Sequence, residues 1–357
     1  MKMARKATIR FILSVAVVAL STVALSTFFI CTASAADLPK VHWRIQSAFP
    51  PGDHESDIAI PERIKYIEEK TGGKFTLKRY FAGEIMPPEE MLRGTGKGLA
   101  EMSEGAGMYW SGIEKSLDLT FGLPGTGRGP VGDVWAFQNG SEWSIMLQKI
   151  FAKHGNQYLG WHDYGPFPVF CSRVPIRKYA DWKGKKIRTA GASAELLKAM
   201  GAAAVYIPGG EIAQALTTGV IDVATWTAEG IKDMGFGSVM DYLILPPFIE
   251  HAGGVLFANK KAWDALPDEY KQVVKESEIV AHRSAIKFWD AYMIDNVKLA
   301  TGVGKGPRGY EVIRLPEKDV AEIHKMAETT IWNSWAKNSA DCAKAVEILK
   351  DWYSSGR

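Results

Sequence analysis

Val41-His42-Trp43-Arg44-Ile45-Gln46-Ser47-Ala48 alternates in character and then breaks at Phe49-Pro50-Pro51-Gly52-Asp53, the pattern of a strand running into a loop. Pro61 opens a helical stretch through Ile64, Ile67 and Glu68, Thr71-Gly72-Gly73 closes it, and a second strand follows from Phe75 to Phe81. This β-α-β unit decides the fold class: strands alternating with helices build a largely parallel sheet flanked by helices. Loops at the carboxyl ends of such strands are candidate ligand surfaces, and residues 49–53 form one.

The pattern extends in both directions along the chain. A helix from Pro88 through Met91 and Leu92 leads to a further strand at 100–105. After Gly155 the alternation starts again. Strands are expected at 158–161 and 168–172, a helix at 193–200 ending near Gly201, a short helix at 212–218 closed by Gly219, and a strand at 220–224. From Pro267 to Ala300, Tyr270, Val274, Ala281, Ala285, Phe288 and Tyr292 follow helical spacing, with Gly302 at the end. Such a helix reaches roughly 50 Å at 1.5 Å per residue, enough to lie across two lobes. A strand at 310–315 and two amphipathic helices complete the chain. The expectation is α/β with two lobes: 1–35 a leader, 36–160 lobe I, 161–250 lobe II, and 251–357 a return to lobe I with the long helix.

Lys2, Arg5, Lys6 and Arg10 precede an apolar run from Phe11 to Ile30, and Ala33-Ser34-Ala35 precedes Ala36-Asp37. A basic start, an apolar middle and an A-x-A end mark a secretory signal peptide, with cleavage expected after Ala35. The alternative is an uncleaved anchor, since the run nears the ~20 residues that span a bilayer. Phe29 and Ile30 before Cys31 argue against lipidation, which wants small residues there. The net charge of +3 becomes −1 once the four leader cations are removed, so nothing argues for nucleic acid as a partner. Cys171 and Cys342 could pair in an oxidising compartment, but two buried thiols are the expectation.

Motifs of catalysis were sought and are missing. The seven histidines make no H-E-x-x-H or H-x-H arrangement, and no G-x-S-x-G elbow occurs. Gly94-x-Gly96-x-Gly98 and Gly125-x-Gly127-x-Gly129 lack dinucleotide-binding spacing and read as loop glycines. Neither a cofactor nor a catalytic metal is expected.

A run of motifs in the second half is informative: Ile176 to Asp181, Trp182-Lys183-Gly184-Lys185-Lys186-Ile187-Arg188-Thr189, Ile207-Pro208-Gly209-Gly210-Glu211-Ile212, and Gln214 to Asp222. With Gly107-Met108-Tyr109-Trp110 before it and Leu256 to Trp263 after it, the chain resembles the DctP-type solute-binding proteins of TRAP transporters over nearly the whole of residues 36–357. The resemblance implies a type II-like periplasmic-binding fold, a periplasmic location, TRAP membrane subunits as partners and closure of two lobes on a solute. It also implies that Arg188 binds the ligand carboxylate through a two-pronged ion pair, which suits the planar fork of a guanidinium. Ala224-Thr225-Trp226-Thr227 matches the segment where keto-acid-binding members carry a glutamate and a tryptophan. Trp226 is kept, and Thr225 replaces the acid, which weakens a metal-bridged site. Glu250 matches a further pocket position approximately. Tyr109 and Trp110, at an expected strand end, and Phe167, after Gly165-Pro166, are candidate aromatic walls. A pocket this rich in rings tilts the expectation towards an aromatic or branched carboxylate.

Two other readings compete: an exported isomerase or lyase acting on an organic acid, with Glu250 or His251 as base, and a two-lobed binder serving an ATP-driven importer or a sensor.

Overall fold

The computed structural model describes residues 38–167, 169–231, 234–300 and 310–355; the expected leader, Cys31 and the Gly302 end of the long helix lie outside them. The strands are β1 (Val41–Ser47), β2 (Phe75–Tyr80), β3 (Met102–Gly105), β4 (Asn156–Phe167), β5 (Val169–Ser172), β6 (Lys186–Arg188), β7 (Ala203–Val205), β8 (Val223–Trp226), β9 (Tyr242–Leu245), β10 (Ile249–Asn259) and β11 (Glu311–Arg314). They form two sheets, one in the order β2-β1-β3-β10-β4 and the other in the order β11-β9-β5-β8-β6-β7. Helices cover both, giving the two-lobed α/β architecture of periplasmic binding proteins.

Each sheet is mixed rather than largely parallel. The β-α-β units are parallel: β1 pairs with β2 and β3, and β6 pairs with β7 and β8. The strands that carry the chain between sheets run the other way, β10 antiparallel to β3 and β4, and β5 antiparallel to β8 and β9. A strand arriving from the neighbouring lobe enters from the end facing that lobe, which reverses its direction. β4 runs on to Phe167, past the boundary at 160 read from the sequence. β11 pairs in parallel with β9, so the last hundred residues do not all return to the first lobe.

The long helix spans Asp268–Ala300, 33 residues, and buries Tyr270, Val274, Ala281 and Ala285. It packs on β4 and on the helix Ile60–Lys70, both in the first lobe. Any contact that takes it across to the second lobe would fall on its last turns, where the side chains, Tyr292 among them, lie outside the described residues. Residues 131–153, given no element from the sequence, form two helices, Val131–Gly140 and Glu142–Lys153, with the Ser141 hydroxyl accepting the Trp143 N–H at the start of the second. Cys171 and Cys342 are buried, unpaired thiols. Among the described residues no helix is long and apolar enough to cross a membrane.

Candidate functional site

β6 is three residues long, and its register against β8 sets Arg188 opposite Ala224. The Arg188 side chain is fully buried. Its Nε donates to the Ile207 carbonyl at 2.8 Å and its Nη1 to the Thr225 carbonyl at 3.0 Å. Thr225 Oγ1 in turn donates to the Arg188 carbonyl at 3.0 Å. The guanidinium carbon lies 5.0 Å from the Trp226 ring centre and 5.5 Å from that of Tyr206, within cation–π range of both. Two prongs are thus held by neutral carbonyls, while the buried Nη2 has no hydrogen-bond partner among the described residues.

Against this second-lobe cluster stands a wall from the first lobe. Phe49, Asp53, Glu55, Met108, Tyr109, Phe121, Tyr164 and Phe167 join Trp226 and Thr227 around a narrow cavity of about 20 Å3. Phe49 sits at its centre, edge-on to Tyr164 at 5.3 Å and to Trp226 at 6.3 Å between ring centres. The lobes touch here: Trp226 Nε1 donates to Asp53 Oδ2 at 3.3 Å, and at the rim Lys115 pairs with Glu195 at 2.6 Å. Gly209 lies flat against Trp226, where an added Cβ would come within 2.5 Å of the indole. A larger hollow of about 260 Å3 adjoins the cavity, lined by Glu89, Lys198 and Tyr206 and sharing Met108 and Tyr109 with it.

Beneath the cavity lies a buried ionic network. Arg63 donates to Glu278 at 2.7 Å and to Glu104 at 2.9 Å. His162 bridges Glu278 through Nδ1 at 2.8 Å and Glu55 through Nε2 at 2.9 Å. Burial opposes every charge in this network, yet the neighbouring opposite charges hold Glu278 down at about 2, depress Glu55, and keep His162 well above its ordinary value as an imidazolium. Asp53, next to the network, goes the other way: burial, reinforced by Glu55, pushes its carboxyl up to about 7. Burial likewise raises the Tyr109 hydroxyl to about 12, with Arg188 acting against the shift.

The expected residues divide. Trp226, Tyr109 and Phe167 line the cavity, and Arg188 packs on the face of Trp226. Thr225 is buried behind Arg188 and positions it. Trp110 turns away: its Nε1 donates to the Pro88 carbonyl, and its ring packs edge-on against Phe257 at 5.1 Å in the first-lobe core. Glu250 is exposed on β10, and the neighbouring His251 pairs with Asp163 at 3.3 Å and lines a different cavity. Phe49, Asp53, Glu55, Phe121 and Tyr164 were not singled out by the sequence. The break at 49–53 was the available signal for the first two.

The sequence pattern of the bacterial extracellular solute-binding protein family 7, DctP, matches residues 58–338. The chain belongs to this family. A monocarboxylate 2-oxoacid-binding periplasmic protein of Nostoc sp. is 26% identical over 325 residues, covering 87% of this chain and 86% of that one. The TRAP transporter solute-binding protein of Bordetella bronchiseptica, solved with copurified calcium and picolinate, superposes with a TM-score of 0.81 at 22% identity, covering 89% of this chain and 93% of that one. That of Pseudoalteromonas atlantica, with bound sodium and pyruvate, gives 0.80 at 19% identity, covering 89% and 95%. These two likenesses show the shared TRAP solute-binding fold.

In this DctP protein the described residues bring one set of metal-type side chains together, Glu55, Glu104 and His162. Both ring nitrogens of that histidine are already hydrogen-bonded to carboxylates, so an ion there would have to displace the network.

Proposed function

We propose that this protein captures a small organic carboxylate between its lobes and hands it to the membrane subunits of a TRAP permease. The observation that carries the reading is the third prong of Arg188: a buried guanidinium with two neutral acceptors, whose Nη2 has no hydrogen-bond partner among the described residues, calls for an anionic partner. Six rings around the cavity, Phe49, Tyr109, Phe121, Tyr164, Phe167 and Trp226, suit a ligand whose remainder is apolar, and an aromatic or branched acid fits that lining. Contacts from both lobes to one solute would make closure depend on its presence, through the Trp226–Asp53 and Lys115–Glu195 meetings. The leader at 1–35 supports export to the periplasm. No observation favours the isomerase or lyase reading, since Glu250 and His251 do not line this cavity.

The test is Arg188→Ala and Arg188→Lys, assayed by calorimetry and ligand-induced thermal shift over a panel of small carboxylates, with circular dichroism as a check on folding. Arg188→Ala is expected to weaken binding by about 3 to 5 kcal/mol, at least about a hundredfold. Lysine should recover part of this, because a point charge does not reproduce the fork. A folded Arg188→Ala protein that binds within a few-fold of the parent sinks the assignment.

A further inference from the structure

A buried guanidinium and a buried carboxyl flank the Trp226 wall of the cavity, and no ion pair joins them among the described residues. Arg188 meets the carbonyls of Ile207 and Thr225, with the Tyr109 hydroxyl beside it and no carboxylate among the described residues. Asp53 is 3% exposed and meets only neutral donors, the Glu55 N–H at 3.0 Å and the Trp226 Nε1–H at 3.3 Å, the second of these long for a hydrogen bond. Both groups lie against the same indole, Arg188 over its face and Asp53 at its nitrogen. The cations nearest Asp53 are committed elsewhere: His54 pairs with Glu55 at 3.1 Å, His162 with Glu55 and Glu278, and Arg63 with Glu104 and Glu278.

Burying a charge is costly unless a partner of opposite sign is buried with it. A plain carboxylate would satisfy Arg188 and bring a second anion towards Asp53 and Glu55. Around Asp53 the cavity is walled by the rings of Phe49, Tyr109, Tyr164 and Trp226. Aromatic faces beside an acid form the arrangement that attracts substituted ammonium groups. We propose that the solute is a zwitterion, a carboxylate that also bears a cationic nitrogen, with its acid end on Arg188 and its cationic end at Asp53 within the ring box. This rests on the carboxylate reading above and narrows it to one class.

Isosteric pairs isolate the charge. Glycine betaine and 3,3-dimethylbutanoate differ in having nitrogen or carbon at the same branching atom, and proline and cyclopentanecarboxylate differ in one ring position. Affinities of both pairs are to be measured for the parent protein, Asp53→Asn and Arg188→Ala. Asparagine keeps the acceptor for the Glu55 N–H, so the loop should hold its shape, and circular dichroism checks this. The expected result is that at least one zwitterionic probe binds tenfold or more tighter than its isostere lacking the cationic nitrogen, and that Asp53→Asn reduces this preference to within about threefold. Plain carboxylates binding as well as their zwitterionic isosteres overturn the proposal while leaving the carboxylate reading intact, provided Arg188→Ala abolishes their binding. No response to either zwitterionic probe overturns it as well. If plain carboxylates bind Arg188→Ala as they bind the parent, the carboxylate reading itself fails.

Discussion

Arg188 and Thr225 show how a single position sets the chemistry of the cleft. Thr225 spends its hydroxyl on the Arg188 carbonyl and its own carbonyl on the guanidinium, so the residue that replaces an acid here serves as a splint for the arginine. A divalent cation wants several hard oxygens with formal negative charge among them. Thr225 offers none, and Glu55 is held by His54 and His162. Binding of the carboxylate probes is therefore expected to be unchanged, within about twofold, by a chelator. Calorimetry with and without the chelator checks this, and a large loss restored by calcium would count against it. The strand that carries Arg188 was legible from the turns around it, while the role proposed for the residue rests on the family resemblance. Asp53 was not, because an acid after Pro-Pro-Gly looks like an ordinary turn residue, and the tryptophan that helps bury it lies 173 positions away. Neighbouring residues in the turn Gly107–Trp110 part company, Tyr109 to the cleft and Trp110 to the core, a divergence that strand alternation does not anticipate.

At the scale of elements, five segments meet in the Arg63–His162 network: the turn after β1, the helix Ile60–Lys70, β3, β4 and the long helix. Its titration sets the pH profile of stability. Glu278 and Glu55 are depressed in the fold, so their contribution is present above the ordinary carboxylate range and lost as pH falls through it. For Glu278, falling from near 4.5 to about 2, the loss is on the order of 3 kcal/mol. His162 is raised, so its contribution is full below its ordinary value and lost as pH climbs through the folded one. Asp53, raised to about 7, also disfavours the fold increasingly as pH rises towards neutrality. Thermal stability is therefore expected to peak on the acid side, near about pH 5, and Glu278→Gln should flatten the acid limb. Melting temperatures across the pH range decide it, and a maximum above neutrality would contradict the assignment. Irregular pairing also sets which way Glu250 faces: β10 slips register against β4 between Ile249 and Ala252 and again before Gly253. Each slip by one residue exchanges the two faces of a strand, and nothing in the local sequence marks where that happens.

For the whole molecule, the basic and apolar start of the sequence agrees with the extracellular solute-binding family to which the chain belongs. Protein recovered from the cell envelope is expected to begin at Ala36 or within a residue or two of it, and N-terminal sequencing checks this; Met1 retained there would contradict cleavage. The two-lobed α/β plan was legible because its β-α-β units repeat in the chain. The mixed sheets were not, since strand direction depends on which lobe the chain has just left. That same threading dictates an order of assembly. β10 lies between β3 and β4 and pairs with both. A chain that emerges amino end first therefore has the two halves of its first sheet waiting, with bare edges facing each other, until β10 itself has emerged. During that interval the unpaired edges are open to pairing with other chains. The time needed for the roughly eighty residues between β4 and β10 to arrive is thus a period in which another chain can capture the protein, and the pace at which the chain is delivered bears on its yield.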